Sequence, residues 1–225
     1  MTNELRALIF AGLGTFTGAL IQYYFQRRSA AQQERREIIE VYLLQLQNAV
    51  ESLYYRLNNL LDWGGKTFMA DDYYRATSIY ILARILAQEN LLITQGIYAK
   101  LSYDERFKRS LKLHLHALNC GLDDQNFLYY HRVQLAEMLV REGKLITYTN
   151  FLALLDQQHI TVAVVKAEEF IVSASNQQLE MLRQQAKTLV LLLELKTKVP
   201  SAITLSAVNP NLGYWQPFKA RSREA

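Results

Sequence analysis

The feature that most constrains this chain is a stretch of twenty residues, 7–26, that contains no charged side chain and is bounded by Arg6 and Arg27. An α-helix rises about 1.5 Å per residue, so a helix of this length covers roughly the 30 Å of hydrocarbon in a lipid bilayer. The sequence therefore predicts that residues 1–28 form a single transmembrane anchor.

Basic residues lie mainly on the C-terminal side of the uncharged stretch. Lys and Arg accumulate in the cytoplasmic flanks of membrane helices, and tyrosines such as Tyr23 and Tyr24 favour the lipid–water interface. This distribution predicts an N-out, C-in orientation in which the bulk of the chain is cytoplasmic. The arginines that follow the stretch are Arg27, Arg28, Arg35 and Arg36, against Arg6 before it.

A cleaved signal peptide is the main alternative to an anchor. The apolar region of a signal peptide is usually about 7 to 15 residues long and precedes small residues, whereas the small residues 29–31 here follow two arginines. Cys120 is the only cysteine of the 225 residues, which excludes an internal disulfide framework and is typical of a reducing compartment. Both observations favour an uncleaved anchor and a cytoplasmic domain.

Gly14 and Gly18 are separated by four positions within the uncharged stretch. Small residues at this spacing let two membrane helices approach closely, although glycine is also common in membrane helices that do not associate. We take Gly14 and Gly18 as candidate helix-packing residues in the membrane, where they would support a homodimer or a contact with another membrane protein.

Outside the anchor and a C-terminal tail, roughly 170 residues remain, which is enough for one domain with its own core. The formal net charge is +4, and several of the positive groups flank the apolar stretch or lie near the C-terminus. Basic residues beside a bilayer interact with anionic lipid, whereas nucleic-acid binding requires a denser basic surface with interleaved aromatic residues. We therefore expect the lipid bilayer, and no nucleic acid, as a partner.

Two segments carry apolar seams in which separations of three and four residues alternate, as is typical of coiled-coil-like helices that pack along one face. No glycine or proline interrupts residues 19–63, so the first seam helix can continue directly from the anchor to a stop at Trp63-Gly64-Gly65. We expect the two seams to pack against each other in a helical bundle. The first seam is Ile39, Leu43, Leu46, Val50, Leu53, Leu57 and Leu60, and the second is Leu179, Leu182, Ala186, Leu189 and Leu193.

Between the seams, Asp71 or Asp72 predicts the N-cap of a helix that covers residues 73–100 and is apolar on nearly all sides. As a second membrane span it would place Arg84 near the bilayer centre at a cost of about 2.5 to 3.5 kcal/mol, so a central helix of the bundle is favoured. Because a buried charge needs a partner, Arg84 and Glu89 are candidates for a structural ion pair.

The rest of the chain completes a mainly α fold. A basic amphipathic helix is predicted at 102–118, although the alternation within it would also suit a short strand. Residues after Pro200 show little periodicity and predict a flexible tail. The predicted fold is an N-terminal transmembrane helix followed by an antiparallel helical bundle, with a small extended segment near 145–148. The predicted parts are the anchor 1–28, the helical cytoplasmic domain 29–199 and the tail 200–225.

Three aromatic side chains, Tyr214, Trp215 and Phe218, stand out in the predicted tail. Aromatic side chains of this size need an apolar surface. They would dock on their own domain, lie at the lipid headgroups beside Lys219 and Arg221, or bind a partner as a short linear motif. The sequence leaves these three alternatives open, so the aromatic residues are candidate tail contacts.

Four runs of residues carry a resemblance to a family. They are residues 53–57, 74–84 and 132–139, and Tyr148-x-x-Phe151. On these runs the chain resembles a group of uncharacterised bacterial proteins that have one N-terminal span and a helical cytoplasmic part. The resemblance covers most of residues 5–195 and implies the architecture, but it implies no activity and no site residue.

Catalytic and metal chemistry have little support in this sequence. The His114-x-His116 pair would present both rings on one side of a strand, but about 200° apart on a helix, and no Cys or acidic residue completes a site nearby. The paired carboxylates at 71–72, 123–124 and 168–169 fit helix caps or solvated turns better than acid–base catalysis. Cys120 is expected as a small buried residue rather than a nucleophile. We predict no cofactor, no metal and no catalytic residue.

The combined prediction is a membrane-anchored helical scaffold or interaction module on the cytoplasmic face of a bacterial inner or internal membrane. Tethering raises the local concentration for weak partners, which would be other membrane or membrane-proximal proteins. The alternative is an accessory structural subunit of a larger integral membrane complex, in which Gly14 and Gly18 pack the span against its neighbours. An enzyme would instead show a cleft in which Arg84, Glu89 and histidines converge.

Overall fold

The structure is a computed structural model that describes residues 3–62, 66–125, 127–156 and 161–208, with side chains described at residue 18 and from residue 20 onward. This described part is mainly helical and contains one two-stranded sheet. In chain order the elements are α1 (Asn3–Glu37), a π-helical segment (Ile38–Leu43), α2 (Leu44–Asp62), a 3₁₀ turn (Thr67–Ala70), α3 (Asp72–Thr94), α4 (Ile97–Lys100), a second 3₁₀ turn (Leu101–Asp104), α5 (Glu105–Gly121), α6 (Tyr129–Met138), β1 (Val140–Arg141), β2 (Lys144–Leu145), α7 (Tyr148–Asp156), α8 (Val162–Ser173), α9 (Asn176–Thr197) and α10 (Ala202–Val208).

The chain divides into two compact units, residues 1–41 and residues 42–225. The boundary lies within the π-helical segment, farther along the chain than the predicted end of the anchor at residue 28. Among the residues that the structure describes, no helix combines the length and the hydropathy needed to cross a bilayer. The predicted stop at Trp63-Gly64-Gly65 lies outside the described residues, and α2 is described up to Asp62.

The two apolar seams pack against each other, which confirms the pairing expected from their spacing. Helix α2 makes its most extensive contacts with α9. The seam residues of α2 and α9 are buried, together with Leu43 just before α2, whereas Ile39 is only half-buried. The pairing of these two helices therefore forms the centre of the second unit's core.

Polar contacts at both ends show that α2 and α9 are antiparallel. Near the start of α2, Gln47 lies against Thr197 at the end of α9. At the other end, Asp62 Oδ2 pairs with Arg183 Nη1 near the start of α9 at 2.8 Å. The antiparallel arrangement follows directly, because each helix start contacts the other helix's end.

Helix α3 is the central helix that the sequence predicts, but it is shorter. Asp71 is its N-cap, with a side-chain oxygen that accepts from Tyr74 N at 2.8 Å. Its last residue is Thr94 rather than residue 100, because Gly96 adopts a left-handed conformation with φ of 66°. A separate short helix, α4, then covers the remaining residues of the predicted helix.

A tight β-hairpin, formed by β1 and β2, ends where the extended segment predicted near 145–148 begins. Its strands pair Val140 with Leu145 in antiparallel register, and both turn residues have positive φ, 51° at Glu142 and 73° at Gly143. Two positive φ values in a two-residue loop match the right-handed twist of the flanking strands. The extended segment predicted at 145–148 is therefore displaced, since α7 already begins at Tyr148.

Helix α10 corrects the prediction of a flexible tail from residue 200. Ser201 is buried, and the backbone N–H of Ala202 donates to Glu51 Oε1 of α2 at 2.7 Å. The hydroxyl of Thr204 donates to both carboxylate oxygens of Glu194 on α9, at 2.8 and 2.7 Å. The first residues of the predicted tail thus belong to the folded domain, because two carboxylates satisfy the helix start.

Candidate functional site

The described side chains of α1 expose an apolar surface. Leu20, Ile21, Tyr23, Tyr24 and Phe25 are between 51% and 62% exposed. At about 100° per residue these positions span roughly 200° of the helix circumference, which is wider than the apolar stripe of an ordinary amphipathic surface helix. Only the uncharged Gln22 and Gln26 occupy the remaining arc, so no charge interrupts this surface before Arg27.

The two candidate packing glycines both lie within α1. A methyl group added at Gly18 would meet no atom of the described residues within 4 Å, so nothing described covers this position. The surroundings of Gly14 lie outside the described side chains. Their four-residue separation places both glycines on the same side of the helix.

In the second unit, a cleft opens between α3 and α6, with polar side chains at its base. We call it the α3–α6 cleft. Its volume is about 230 Å³. It lies where α3 and α6 pack against each other and where α5 ends. The residues that determine its chemistry are Glu89, Asn90 and Ile93 of α3, Asn119 of α5, and Tyr129 and Arg132 of α6.

Glu89 forms the acidic part of this cleft. Asn119 Nδ2 donates a hydrogen bond to Glu89 Oε2. Burial raises the pKa of Glu89 above its ordinary value, against the Asn119 hydrogen bond and the charges of His116 and Arg132, which lower it. Glu89 is therefore a carboxyl group that resists ionisation more than a solvated one.

Arg132 forms the basic part of the cleft and is only 7% exposed. Its Nη1 donates to the backbone oxygen of Asn119 at 2.9 Å, and its Nη2 lies 3.3 Å from Asp123 Oδ1. Its Nε is buried and has no hydrogen-bond partner among the described residues. The guanidinium group thus ties the start of α6 to the end of α5, since a buried charge of this kind requires such partners.

The ion pair between Arg84 and Glu89 that the sequence suggested is not formed. The two residues are separated by five positions on α3, so their side chains point about 140° apart. Among the described residues, no carboxylate lies within ion-pair distance of Arg84. The partners of Glu89 come instead from α5 and α6.

Cys120 is exposed, which corrects the expectation of a buried residue. Its Sγ lies 3.6 Å from His116 Nε2, one helical turn earlier on α5. His114 and His116 both lie on α5, so their rings point to different sides of the helix. Within the described part of the chain, no group of three or more histidine, cysteine or acidic side chains is arranged to hold a metal ion.

Exposed apolar side chains border the α3–α6 cleft. Ile93 is 60% exposed and Tyr129 72% exposed, and both line the cleft. Leu128 and Tyr130, on either side of Tyr129 in the chain, are also exposed. Aromatic residues beside a partly buried polar centre are typical of protein-binding surfaces.

The remaining candidate residues, Tyr214, Trp215 and Phe218, lie outside the described residues. The sequence had singled out Glu89 but neither Arg132 nor Asn119, which reach it only through the packing of α5 and α6 on α3.

Comparison with known proteins does not add a family to this description. No protein-family model, no curated protein and no solved structure matches this chain.

Proposed function

We propose that this protein is a membrane-anchored helical interaction module on the cytoplasmic face of a bacterial membrane. The observation that carries the proposal is the exposed apolar surface of α1 between Leu20 and Phe25. Water is an unfavourable solvent for apolar side chains on so wide an arc, whereas lipid accommodates them. Arg27 and Arg28 follow this surface directly, as in the cytoplasmic flank of a membrane helix.

The α3–α6 cleft supplies the contact surface of the proposed module. Tyr129 and Ile93 offer apolar area, and the carboxyl of Glu89 and the guanidinium of Arg132 offer polar groups at its base. Large aromatic side chains beside desolvated polar groups supply much of the affinity of protein interfaces. Anchoring adds effective concentration, so a weak contact at this cleft suffices for association at the membrane.

Topology labelling tests the anchor with the natural chain, because Cys120 is its single cysteine and is exposed. In intact bacterial cells a membrane-impermeant maleimide should leave Cys120 unlabelled, and it should label Cys120 after the cells are permeabilised. The matched control is Asn3→Cys in a Cys120→Ser background, which should be labelled from outside the inner membrane without permeabilisation.

Alkaline carbonate extraction completes this test. An anchored chain stays in the membrane pellet at full length. Release of the intact chain into the supernatant, or labelling of Cys120 and of Asn3→Cys from the same side, would contradict the proposed anchor.

Crosslinking in intact membranes tests the contact surface. Tyr129→Ala should reduce the capture of partner proteins, whereas Leu195→Ala, which removes an equally exposed apolar side chain from α9, should not.

Extraction in mild detergent distinguishes the interaction module from the accessory subunit. A particle of one or two copies of this chain supports the module, and stable co-migration with other membrane proteins supports the accessory-subunit alternative.

The same extraction tests self-association through Gly14 and Gly18. Gly18→Leu adds bulk at a position that no described residue covers, so it should shift a dimer to monomer. Leu20→Val, on the same helix, is the control. A dimer that survives Gly18→Leu unchanged would contradict packing through this face.

A further inference from the structure

A second site, independent of the proposed anchor, lies on the face of α2 that contacts α3. Arg56 is half-buried there, and its Nη2 donates to Thr77 Oγ1 at 3.0 Å. Its Cζ lies 4.0 Å from the centre of the Tyr74 ring, in a cation–π arrangement. Both contacts are with neutral groups, so neither compensates the positive charge.

The guanidinium of Arg56 differs in this respect from the other well-packed arginines. Arg132 pairs with Asp123, and Arg183 pairs with Asp62 and Glu180. Within the described ranges of the chain, no carboxylate lies at ion-pair distance from Arg56. Because partly buried charges are normally paired, an anion is the component that this site lacks.

Within the part of the chain that the structure describes, three polar atoms at or near Arg56 are buried without a hydrogen-bond partner. They are Arg56 Nη1, Tyr74 Oη and Tyr148 Oη. Burial raises the pKa of Tyr148, while the nearby charge of Arg56 acts to lower it, so the phenol remains a protonated donor. An unmade hydrogen bond of a buried group is costly, and each of these groups can donate to an oxyanion.

A groove of about 500 Å³ lies beside this cluster, and Arg56 of α2, Ile81 of α3 and Ala202 of α10 contribute to its walls. This volume is in the range of small-molecule sites. Arg84 lies one helical turn after Ile81 on α3. It is on the same side of that helix as Thr77 and Gln88, which both contact α2. Arg84 therefore lies on the same side of α3 that Arg56 contacts.

Glu51 is the acidic group of the groove, and in its ionised form it would repel a bound anion. Its Oε1 accepts from the Ala202 backbone N–H at 2.7 Å. Burial raises the pKa of Glu51, which favours its neutral form. It also lies five residues before Arg56 on α2, about 7.5 Å along the helix axis, so it belongs to the α10 end of the groove.

We propose that Arg56 binds the oxyanion of a small ligand that carries a phosphate group. The hydroxyl of Tyr74, whose ring lies against the guanidinium of Arg56, is a further donor beside it. The groove that Arg56 lines holds the rest of the ligand. Planar guanidinium groups are well suited to such oxyanions because they form charge-assisted, bidentate hydrogen bonds. The same chemistry fits a soluble phosphate compound and the phosphomonoester headgroup of a lipid.

The test follows the guanidinium NMR signals of arginine-labelled full-length protein in neutral-lipid nanodiscs. Inorganic phosphate, added in place of chloride at constant ionic strength, should shift the signal of Arg56 until the site is saturated. Arg56→Gln should weaken phosphate binding at least about tenfold, as expected for the loss of a charge-assisted hydrogen bond. The matched control is Arg109→Gln, which removes an exposed arginine of α5 and should bind as the natural chain does.

A further variant protects the test against misfolding. Tyr74→Phe should weaken binding with unchanged far-ultraviolet circular dichroism. Nanodiscs that contain phosphatidic acid identify the source of the ligand. A shift of the Arg56 signal with phosphatidic acid supports a lipid headgroup, and a shift with soluble phosphate alone supports a soluble ligand. If neither probe shifts the signal, or if Arg109→Gln weakens binding as much as Arg56→Gln, the proposal is wrong.

Discussion

Gln47 and Thr197 form a buried hydrogen bond that joins the start of α2 to the end of α9. Thr197 Oγ1 donates to Gln47 Oε1 at 2.6 Å, and Gln47 Nε2 donates to the backbone oxygen of Val199 at 2.8 Å. Both side chains are nearly inaccessible to solvent. This contact fixes the axial register of the two seams, because apolar side chains alone permit a shift by one heptad.

We expect Thr197→Val to destabilise the protein by about 1 to 3 kcal/mol, because Gln47 Oε1 would lose its donor in a buried position. Thermal unfolding of the full chain, followed by circular dichroism, should show a midpoint lower by several degrees. Thr188→Val is the control, since its residue is exposed on the same helix and its hydroxyl donates to Gln184 O. Equal effects of the two substitutions would contradict this role for Thr197.

Two glycines with positive φ should respond differently to alanine. At Gly96, φ is 66° and an added Cβ would meet none of the described atoms within 4 Å, so Gly96→Ala should cost only the backbone strain of about 1 to 2 kcal/mol. At Gly143, φ is 73° and the Cβ would lie 2.6 Å from Gln95 Nε2. Gly143→Ala should cost more than Gly96→Ala, because it also displaces the hydrogen bond from Gln95 Nε2 to Gly143 O.

The comparison is made by thermal unfolding of both variants. In a Gln95→Ala background the excess cost of Gly143→Ala should disappear. If the two alanine variants are equally stable in the natural background, the side chain of Gln95 does not restrict the hairpin turn.

Glu89 should make the stability of the protein depend on pH. Its pKa is raised in the folded state, mainly by burial, above the ordinary value of 4.5. A raised carboxyl pKa contributes stability below 4.5, and this stability is lost as the pH rises through the folded-state pKa. Glu89→Gln cannot ionise but can still accept the hydrogen bond from Asn119.

Relative to the natural chain, we therefore expect Glu89→Gln to gain stability as the pH is raised from about 4 to about 8. The measurement is the unfolding midpoint across this range. Glu137→Gln, which removes an exposed carboxylate of the same cleft, is the control. A difference between Glu89→Gln and the natural chain that shrinks as the pH rises would contradict the direction of the shift.

Docking of α10 should depend on Glu194. Burial raises the pKa of Glu194, but hydrogen bonds from Ser201 and Thr204 outweigh this effect, so the pKa is lowered overall. A lowered carboxyl pKa contributes stability above 4.5 that is lost as the pH falls through the folded-state value. Acid should thus release α10 from α9.

Amide hydrogen exchange of residues 202–208 measures this release. Glu194→Gln should lower their protection by roughly tenfold at neutral pH, as expected for the loss of about 1.4 kcal/mol of local stability. Glu180→Gln, on the same helix but in an ion pair with Arg183, should leave α10 protected. Unchanged exchange in Glu194→Gln would show that other contacts hold α10.

The candidate site was only partly accessible to sequence reasoning. Glu89 stands out in the sequence because it interrupts an apolar helix, and its burial follows from that position. The partner of Glu89 does not follow from the sequence, because Arg84 is close in sequence but points to another side of α3. Asn119 and Arg132 reach Glu89 through contacts between helices that are 30 or more residues apart along the chain, and no local pattern encodes such contacts.

The sequence by itself determined the two seam helices, α2 and α9, and the face that each of them buries. The spacing of leucines in α2 and α9 encodes a buried stripe in each, because helical periodicity is a local property of the chain. Tertiary structure alone decided where the central helix ends, where α10 docks and which charges meet. These features depend on contacts between distant segments, such as the carboxylates of Glu51 and Glu194 that hold the start of α10, and their energies exist only once the helices have packed together.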